Sequence, residues 1–571
     1  MARVSTAHPA HAHHRGHTGQ PGGVARRTVA LSSTADERPV PSVHLRLATG
    51  RMPEDRLAGW LATLAVTLVA GFMRFWHLGT PHAFLFDETY YAKDAWSLWH
   101  HGYVTNYVKD ANDKILAGNL HGLWESTPSM IVHPEVGKWL IGLAEHLFGM
   151  DPTGWRVAPA VVGTLMVAVM VRLARRLTGS TLLGCVAGLL LCFDGLEFVL
   201  SRLALLDIFL AFFLLCATAC LVADRDWGRA RMAELVPDGW RAGAGDWGPV
   251  RGLLWRPWRL AAGICFGLAC GSKWNALYPL VAFGLLVWMW DAGARRAIGV
   301  RLPKLRSAVV DALPAFGYLV LVALVVYVLS WTGWLLHAGV YDKYLSHNSY
   351  GPYWGSYVRQ PAHGFLPEAW KALRSLWHYH QDVYAFHTGG LNNATHPYQS
   401  TPEGWLILNR PVAVEAVNGI EPGQQGCTAA AGSTCLRLEV LLGTPALWWG
   451  GVLALVYAVY AWVGKRDWRF GLALVGVVSS WLPWIPNDNR PIFSYYAIAI
   501  IPFTILAVVL CLGTMLGGAR ASYRRRMWGT AVGGAFVVLV VLNFAWFWPL
   551  YTGGLMTTKE WLDRIWFRRW I

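Results

Sequence analysis

Charge is scarce in this sequence. Asp, Glu, Lys and Arg make up only 15% of its 571 residues, whereas a soluble protein carries roughly 25%. Apolar residues make up 54% and gather in long runs. Runs of about 20 apolar residues are long enough to cross a bilayer as helices. The composition excludes a soluble globular protein and predicts an all-α, polytopic membrane protein.

The amino-terminal region lacks the apolar core that a signal peptide needs. It contains the polar stretch "AHPAHAHHRGHTGQPGG". We expect residues 1–56 to form a disordered cytoplasmic tail, because so polar a segment has little apolar surface to bury. The histidines are scattered, which does not favour a metal site, and we expect no metal.

Nucleotide-binding motifs and fixed-period repeats are also missing. No glycine-rich phosphate loop occurs, which argues against a nucleotide-linked substrate. The net charge of +15 is compatible with nucleic acid or anionic lipid. Basic loops on one side of the membrane explain it better, so we expect no nucleic-acid partner.

Eleven apolar runs are predicted to span the membrane. The fifth and sixth are short and flank "CGSKWN". The predicted spans are residues 57–78, 151–171, 180–199, 204–223, 259–272, 275–290, 308–332, 445–463, 468–485, 493–517 and 527–549.

The basic loops decide the predicted orientation. With a cytoplasmic amino terminus, five basic segments fall inside, as the positive-inside rule requires. They are "VRLARRLTG", residues 224–258, "RRAIGVRLPKLR", "GKRDWR" and "ARASYRRR". The exception is "RIWFRRW" near the carboxyl end, which falls outside. We therefore expect a multi-pass plasma-membrane protein whose two large loops, 79–150 and 333–444, are extracytoplasmic.

These loops suggest a division of the chain. Residues 57–332 form a catalytic module that includes the first loop, and residues 333–444 form a large outer loop. Residues 445–549 supply the last four spans, and residues 550–571 form an outer tail.

Ionisable residues collect at the predicted outer boundary. Asp87 and Glu88 lie among aromatic residues in "FLFDETYYAKDAW", and "HPEVGKW" contributes His133 and Lys138. The other candidates are Arg156, Arg202, Asp207, Lys273 and Arg490. Simpler alternatives remain open: Lys138 and Arg490 as membrane-interface anchors, His133 as a turn cap, and Arg202 paired with Asp207.

Adjacent carboxylates and cations at a membrane surface suit one reaction well. A sugar linked to a lipid phosphate lies just outside the bilayer. Its transfer needs a base that takes a proton from the acceptor hydroxyl and cations that stabilise the phosphate leaving group.

Cysteines follow the predicted topology. Seven of the nine fall in spans, where thiols act as small apolar groups. Cys427 and Cys435 alone lie in an outer loop, within "CTAAAGSTC". An oxidising compartment would allow a disulfide between them, and we predict one.

Eight ordered stretches resemble the actinobacterial form of the lipid-phosphate-mannose-dependent protein O-mannosyltransferases. They are "FDETYYAKDAWSL", "HPEVGKWLI", "WRVAPAVVGTL", "SRLALLDIFLAFF", "GLACGSKWNALYPL", "HYHQDVYAFHTG", "LLGTPALWW" and "WLPWIPNDNRPIFSYYAIAIIPF". They extend over roughly residues 70–550. In one of them, "HPEVGKW", Glu135 stands where the family pattern has Pro.

The resemblance implies a GT-C fold and transfer of mannose from polyprenyl-phosphate mannose to Ser or Thr of secreted proteins. It implies that Asp87 is the catalytic base and Glu88 a second acid that positions a substrate. It also implies inversion in a single displacement, with no added cofactor. The large loop is too short for the MIR domain of eukaryotic members, which fits the bacterial form.

The boundary location makes Arg202, Lys273, His133 and Arg490 candidates for binding the donor phosphate. We expect acceptors to be unfolded Ser/Thr/Pro-rich segments, met near the secretory translocon. Two alternatives remain: a transferase acting on a cell-wall glycan or lipid, and a transporter or flippase. A transporter would place ionisable residues near the middle of the bilayer rather than at one boundary.

Overall fold

A computed structural model describes residues 46–47, 53–392, 394–487, 489–518 and 520–571. The described residues belong to one compact unit. The predicted tail lies, except for residues 46–47 and 53–56, outside the described residues. The same holds for its histidines.

The described residues form a mostly helical membrane protein, as predicted. Among the described residues, eight helices are long and apolar enough to cross a membrane, and three shorter apolar helices complete the predicted eleven. In chain order they are α1 (Arg56–Phe75), α2 (Pro152–Thr178), α3 (Thr181–Cys192), α4 (Asp207–Leu235), α5 (Pro257–Cys270), α6 (Trp274–Ala297), α7 (Pro303–Ser330), α8 (Pro445–Val463), α9 (Trp468–Asn487), α10 (Ile501–Leu516) and α11 (Tyr523–Tyr551).

Helix ends follow local sequence signals. Asp151 caps α2 by accepting a hydrogen bond from the Gly154 amide, and Pro152 occupies the first helical position. Ser180 caps α3 in the same way. The helix α4 extends to Leu235, past the predicted end of its span at residue 223. Part of the basic segment 224–258 therefore continues the membrane helix rather than forming a loop.

The two large loops have secondary structure of their own. The loop after α1 contains Glu88–His101, Ala111–Leu116 and Val136–Phe148, and the loop after α7 contains Thr332–Leu336, Ala338–Leu345 and Phe365–Ala385. Two further short helices are Gly195–Leu200 and Thr558–Leu562. We call the end of the bundle that carries these two loops the loop side.

The part of the chain that the structure describes also contains five short strands, which the sequence did not predict, in the connecting segments. β1 (Thr105–Tyr107) pairs antiparallel with β2 (Trp124–Pro128) in the first loop. β3 (Val412–Ile420), β4 (Cys435–Leu441) and β5 (Leu555–Thr557) form an antiparallel sheet in that order. The large loop and the carboxyl-terminal segment therefore share one sheet.

Candidate active site

Asp87 lies at the start of the helix Glu88–His101, where the backbone is strained. The preceding residue, Phe86, has a φ of 48°, a conformation that a bulky side chain rarely adopts and that often marks functional sites. The Phe86 ring packs edge-on against Phe493 and Tyr495, with centroid distances of 5.8 and 6.0 Å. The aromatic contacts hold the turn that presents Asp87.

The carboxyl group of Asp87 is half-buried, and its pKa is higher than that of an ordinary aspartate. Burial raises its pKa to about 6, and the charge of Asp207 acts in the same direction. Lys273 and a hydrogen bond from Tyr91 oppose this rise. Asp87 is therefore ionised at neutral pH, yet a better proton acceptor than an ordinary aspartate.

Lys273 and Asp207 form a buried ion pair beside Asp87. The Lys273 ammonium donates to both Asp207 carboxylate oxygens, at 2.9 and 2.8 Å. It also lies 4.5 Å from the ring centroid of Tyr496. An ammonium has three N–H donors, so one remains for another acceptor. The structure brings these two predicted residues to Asp87, and Asp207 pairs with Lys273 rather than with Arg202.

The position of Glu88 does not fit the substrate-positioning role predicted for it. It is fully buried, and its two oxygens accept from Nε and Nη2 of Arg156, each at 2.8 Å. The same oxygens accept from the backbone amides of Leu85 and Ala204. With both oxygens engaged, Glu88 and Arg156 hold the turn before Asp87. Neither is free to contact a substrate, which corrects the catalytic assignment of Glu88.

The guanidinium of Arg202 is likewise occupied by hydrogen bonds within the protein. Its guanidinium donates to the carbonyls of Arg74 at 2.9 Å and Trp76 at 2.7 Å, with longer contacts to Met73 and His77. These carbonyls end α1, where a cation is favoured by the helix dipole. Arg202 therefore anchors the end of α1, and the prediction that it binds donor phosphate does not match this geometry.

His133 and Arg490 both contact His387, a residue for which the sequence predicted no role. The rings of His133 and His387 stack with centroids 5.5 Å apart, and Arg490 Nη1 lies 3.2 Å from His387 Nδ1. Burial lowers the pKa of His133 well below its usual value, and nearby Lys273 adds to the effect. His133 is thus neutral, which leaves Arg490 and Lys273 as the cations of the site.

Lys138 lies behind the site. It is buried, and its ammonium is 2.9 Å from Asp94, so it neither anchors the protein at the membrane interface nor faces a substrate. Nearby Glu135 is also buried, and burial raises its pKa to about 8 despite the charge of Lys138. This carboxyl group is therefore protonated at neutral pH.

Three tyrosines without a predicted role complete the cluster. Tyr91, Tyr495 and Tyr496 are close enough to Asp87 for its charge to act on their hydroxyls. Two of them occur in "FSYYAIAI", directly after Arg490. Their place in a matching stretch was the available signal, but their approach to Asp87 depends on the folded bundle.

The structure joins Cys427 and Cys435 by a disulfide. It closes the loop between β3 and β4, where Cys435 is in register with Ile420. Among the described residues, no group of three or more His, Cys, Asp or Glu side chains has the arrangement of a metal site.

Two family models match the chain. Residues 64–234 match the dolichyl-phosphate-mannose-protein mannosyltransferase model. Residues 372–570 match the C-terminal four-transmembrane region of protein O-mannosyltransferase. The first match contains Asp87, Lys138 and Asp207, and the second contains His387 and Arg490.

Curated relatives align over nearly the whole chain. A polyprenol-phosphate-mannose–protein mannosyltransferase of Mycobacterium tuberculosis is 37% identical over 91% of this chain and 93% of its own. The enzyme of the same name from Mycolicibacterium smegmatis is 38% identical over 91% and 94%. That from Corynebacterium glutamicum is 31% identical over 86% and 88%.

A solved structure shares the fold. The S. cerevisiae protein O-mannosyltransferase Pmt1-Pmt2 complex, bound to its sugar donor, matches with a TM-score of 0.62 and 14% identity. The match covers 91% of this chain and 95% of that one. The fold is therefore of the GT-C type, as the sequence predicted. The chain belongs to the dolichyl-phosphate-mannose–protein mannosyltransferase family.

Proposed function

We propose that the protein transfers mannose from polyprenyl-phosphate mannose to Ser or Thr hydroxyls of exported proteins, with inversion at the anomeric carbon. The observation that carries the proposal is the position of Asp87. This half-buried carboxylate, with a pKa of about 6, lies beside Lys273 at the edge of a membrane bundle. Its charge and that of Arg490 both act on the hydroxyl of Tyr496. The names of the curated relatives support the same donor and a protein acceptor.

In the proposed reaction, the Asp87 carboxylate takes the proton of the acceptor hydroxyl. The acceptor oxygen attacks the anomeric carbon from the face opposite the phosphate. The bond between that carbon and the phosphate oxygen breaks, and polyprenyl phosphate leaves with the electron pair. Lys273 and Arg490 stabilise the charge that develops on the phosphate. One displacement needs one base, and we propose that no metal or other cofactor takes part.

We further propose that the loop side faces outward across the plasma membrane. The support is the placement of the basic segments, which lie at the other ends of the predicted spans. In this orientation the donor carries its mannose at the outer leaflet, next to Asp87. The Cys427–Cys435 disulfide also suits an oxidising compartment.

The acceptor is proposed to be an unfolded Ser/Thr/Pro-rich segment, reached as it leaves the secretory translocon. The donor is fixed at one depth, so the acceptor hydroxyl has to approach the site. A Ser or Thr inside a folded domain cannot come between the bilayer and the loops. A Thr-containing sequence should therefore be mannosylated faster as a free peptide than inside a stable domain.

The direct test uses the purified full-length protein, radiolabelled polyprenyl-phosphate mannose and a Ser/Thr-rich peptide. We expect radiolabel in the peptide, and none when each Ser and Thr is replaced by Ala. Transfer unaffected by a chelator would support the absence of a metal. Label that enters a glycan or lipid of added membranes, but never the peptide, would contradict the proposed acceptor.

A further inference from the structure

Arg490 is held by an uncharged partner. Its Nη1 lies 3.2 Å from Nδ1 of His387, and its guanidinium carbon lies 5.9 Å from the Trp484 ring centroid. No carboxylate in the described part of the chain pairs with Arg490, and Asp488 lies outside that part. A positive charge is thus oriented without being neutralised by a described acid.

The second nitrogen of His387 fixes which tautomer is present. Nε2 lies 3.0 Å from the carbonyl oxygen of Val132. A carbonyl only accepts, so Nε2 carries the hydrogen and Nδ1 keeps its lone pair. An arginine N–H only donates, so it needs that lone pair. One neutral tautomer of His387 satisfies both contacts.

The surroundings of His387 keep it neutral. Burial, with a smaller contribution from the charges of Arg490 and Lys273, lowers its pKa to about 4, against the raising effect of the Val132 carbonyl. Its ring stacks on His133 and meets the Trp274 ring edge-on, at centroid distances of 5.5 and 6.2 Å. These contacts fix the ring orientation and connect the large loop, through His387, to the first loop.

Lys273 shows what a charged partner would do instead. Both oxygens of Asp207 accept from its ammonium. The pair has no net charge, and Lys273 offers a phosphate its one remaining N–H donor. An imidazole acceptor can orient a guanidinium equally well and leaves its charge available to an anion. Lys273 and Arg490 are therefore held in two electrostatically different ways.

We propose that His387 is a positioning residue that holds the Arg490 guanidinium for the donor phosphate, using its Nδ1 lone pair as acceptor. It acts through Arg490 and touches neither the sugar nor the reacting hydroxyl. This inference rests on the proposed function, because it assigns the phosphate of the lipid-linked donor to Arg490.

Two substitutions by amide side chains distinguish the roles of the two ring nitrogens of His387. In His387→Gln the amide lies near the position of Nε2, which keeps the Val132 contact and removes the acceptor for Arg490. In His387→Asn the amide oxygen lies near the position of Nδ1, which keeps the acceptor. We expect His387→Gln to raise the donor KM about tenfold, the effect of losing one hydrogen bond to a charged group. His387→Asn should raise it less, and the acceptor KM should stay the same in both variants.

A double-mutant cycle tests whether His387 acts through Arg490. The combined His387→Gln, Arg490→Ala protein should be no worse in donor KM than Arg490→Ala alone. Fully additive losses, or a wild-type donor KM in His387→Gln, would overturn the inference. A wild-type protein that transfers no mannose would refute the proposed function instead, so the two failures are distinguishable.

Discussion

Helix α4 takes part in two buried ion clusters, one at its amino-terminal end and one further along toward its carboxyl end. On the loop side, Asp207 pairs with Lys273 and lies close to the second carboxylate, Asp87. About 26 Å further along the helix, at 1.5 Å per residue, Asp224 accepts from Arg256 at 2.7 Å and Arg259 at 2.8 Å. Arg259 also reaches Asp291 at 2.8 Å.

The difference lies in whether the charges are mutually satisfied. In the far cluster two arginines meet two aspartates, and all four are buried. In the near cluster Asp87 is half-buried and has no ion-pair partner among the described residues, while Arg490 is held by a neutral histidine. The far cluster, in which every charge is paired, holds helices together. The near cluster, in which Asp87 and Arg490 lack an ion-pair partner among the described residues, has charge left for a substrate. The two clusters should therefore respond differently to the same substitution.

The largest effect is expected for Asp87→Asn. The amide keeps the size of the side chain but cannot accept the hydroxyl proton, so kcat should fall about 10²–10⁴-fold. Transfer to the peptide and the midpoint of thermal unfolding in detergent would both be measured.

Asp110→Asn provides the matched control in the same loop. Asp110 forms an exposed pair with Lys114, so its loss should leave both measurements unchanged. Near-normal turnover by Asp87→Asn would remove the assignment of the base.

The same exchange in the far cluster, Asp224→Asn, should damage stability instead. It leaves two buried arginines short of a carboxylate, at a cost of about 3–5 kcal/mol. We expect a lower unfolding midpoint and less protein in membranes, with unchanged turnover per folded molecule.

Asp226→Asn, two residues along the same helix, is the comparison variant. Its carboxylate is partly exposed and lies 3.4 Å from Arg225 and 3.6 Å from the partly exposed Arg176, so the loss should be small. Equal stability of the two variants would show that the far cluster does not hold the helices.

Sequence reasoning predicted the helices far better than the pairing of charges. A span such as α2 consists of consecutive, mostly apolar residues, which can be read directly from the sequence. The pairs Lys273–Asp207 and Arg156–Glu88 join residues 66 and 68 positions apart, and Arg490–His387 joins residues 103 apart. Whether a boundary charge meets substrate, as proposed for Lys273, or ends a helix, as Arg202 does, depends on those distant partners.

The activity should depend moderately on pH through the near cluster. Asp87 must be deprotonated to act as base, so kcat/KM should rise with pH, about tenfold per unit, below its pKa of about 6. Above this pH the profile should flatten.

Lys273→Met should move this rising limb to higher pH, because the Lys273 charge lowers the pKa of Asp87. The position of the limb, rather than the absolute rate, is the measurement. A wild-type limb near the ordinary Asp value of 3.8 would contradict the raised pKa.

The smallest effect on activity is expected at the Cys427–Cys435 disulfide, which belongs to neither ion cluster. It closes an eight-residue separation at the end of the β3–β4 hairpin. Replacing both cysteines by Ser should cost about 2–3 kcal/mol, confined to the hairpin, because a short loop loses little entropy when it is cross-linked. Hydrogen exchange should therefore speed up across residues 412–441 while mannose transfer stays the same.

Cys511→Ser, at a lone buried thiol within α10, is the control and should leave hairpin exchange unchanged. In protein taken from native membranes, both hairpin thiols should resist alkylation until a reductant is added. Free thiols there would contradict both the disulfide and the oxidising, outward location proposed for the loop side.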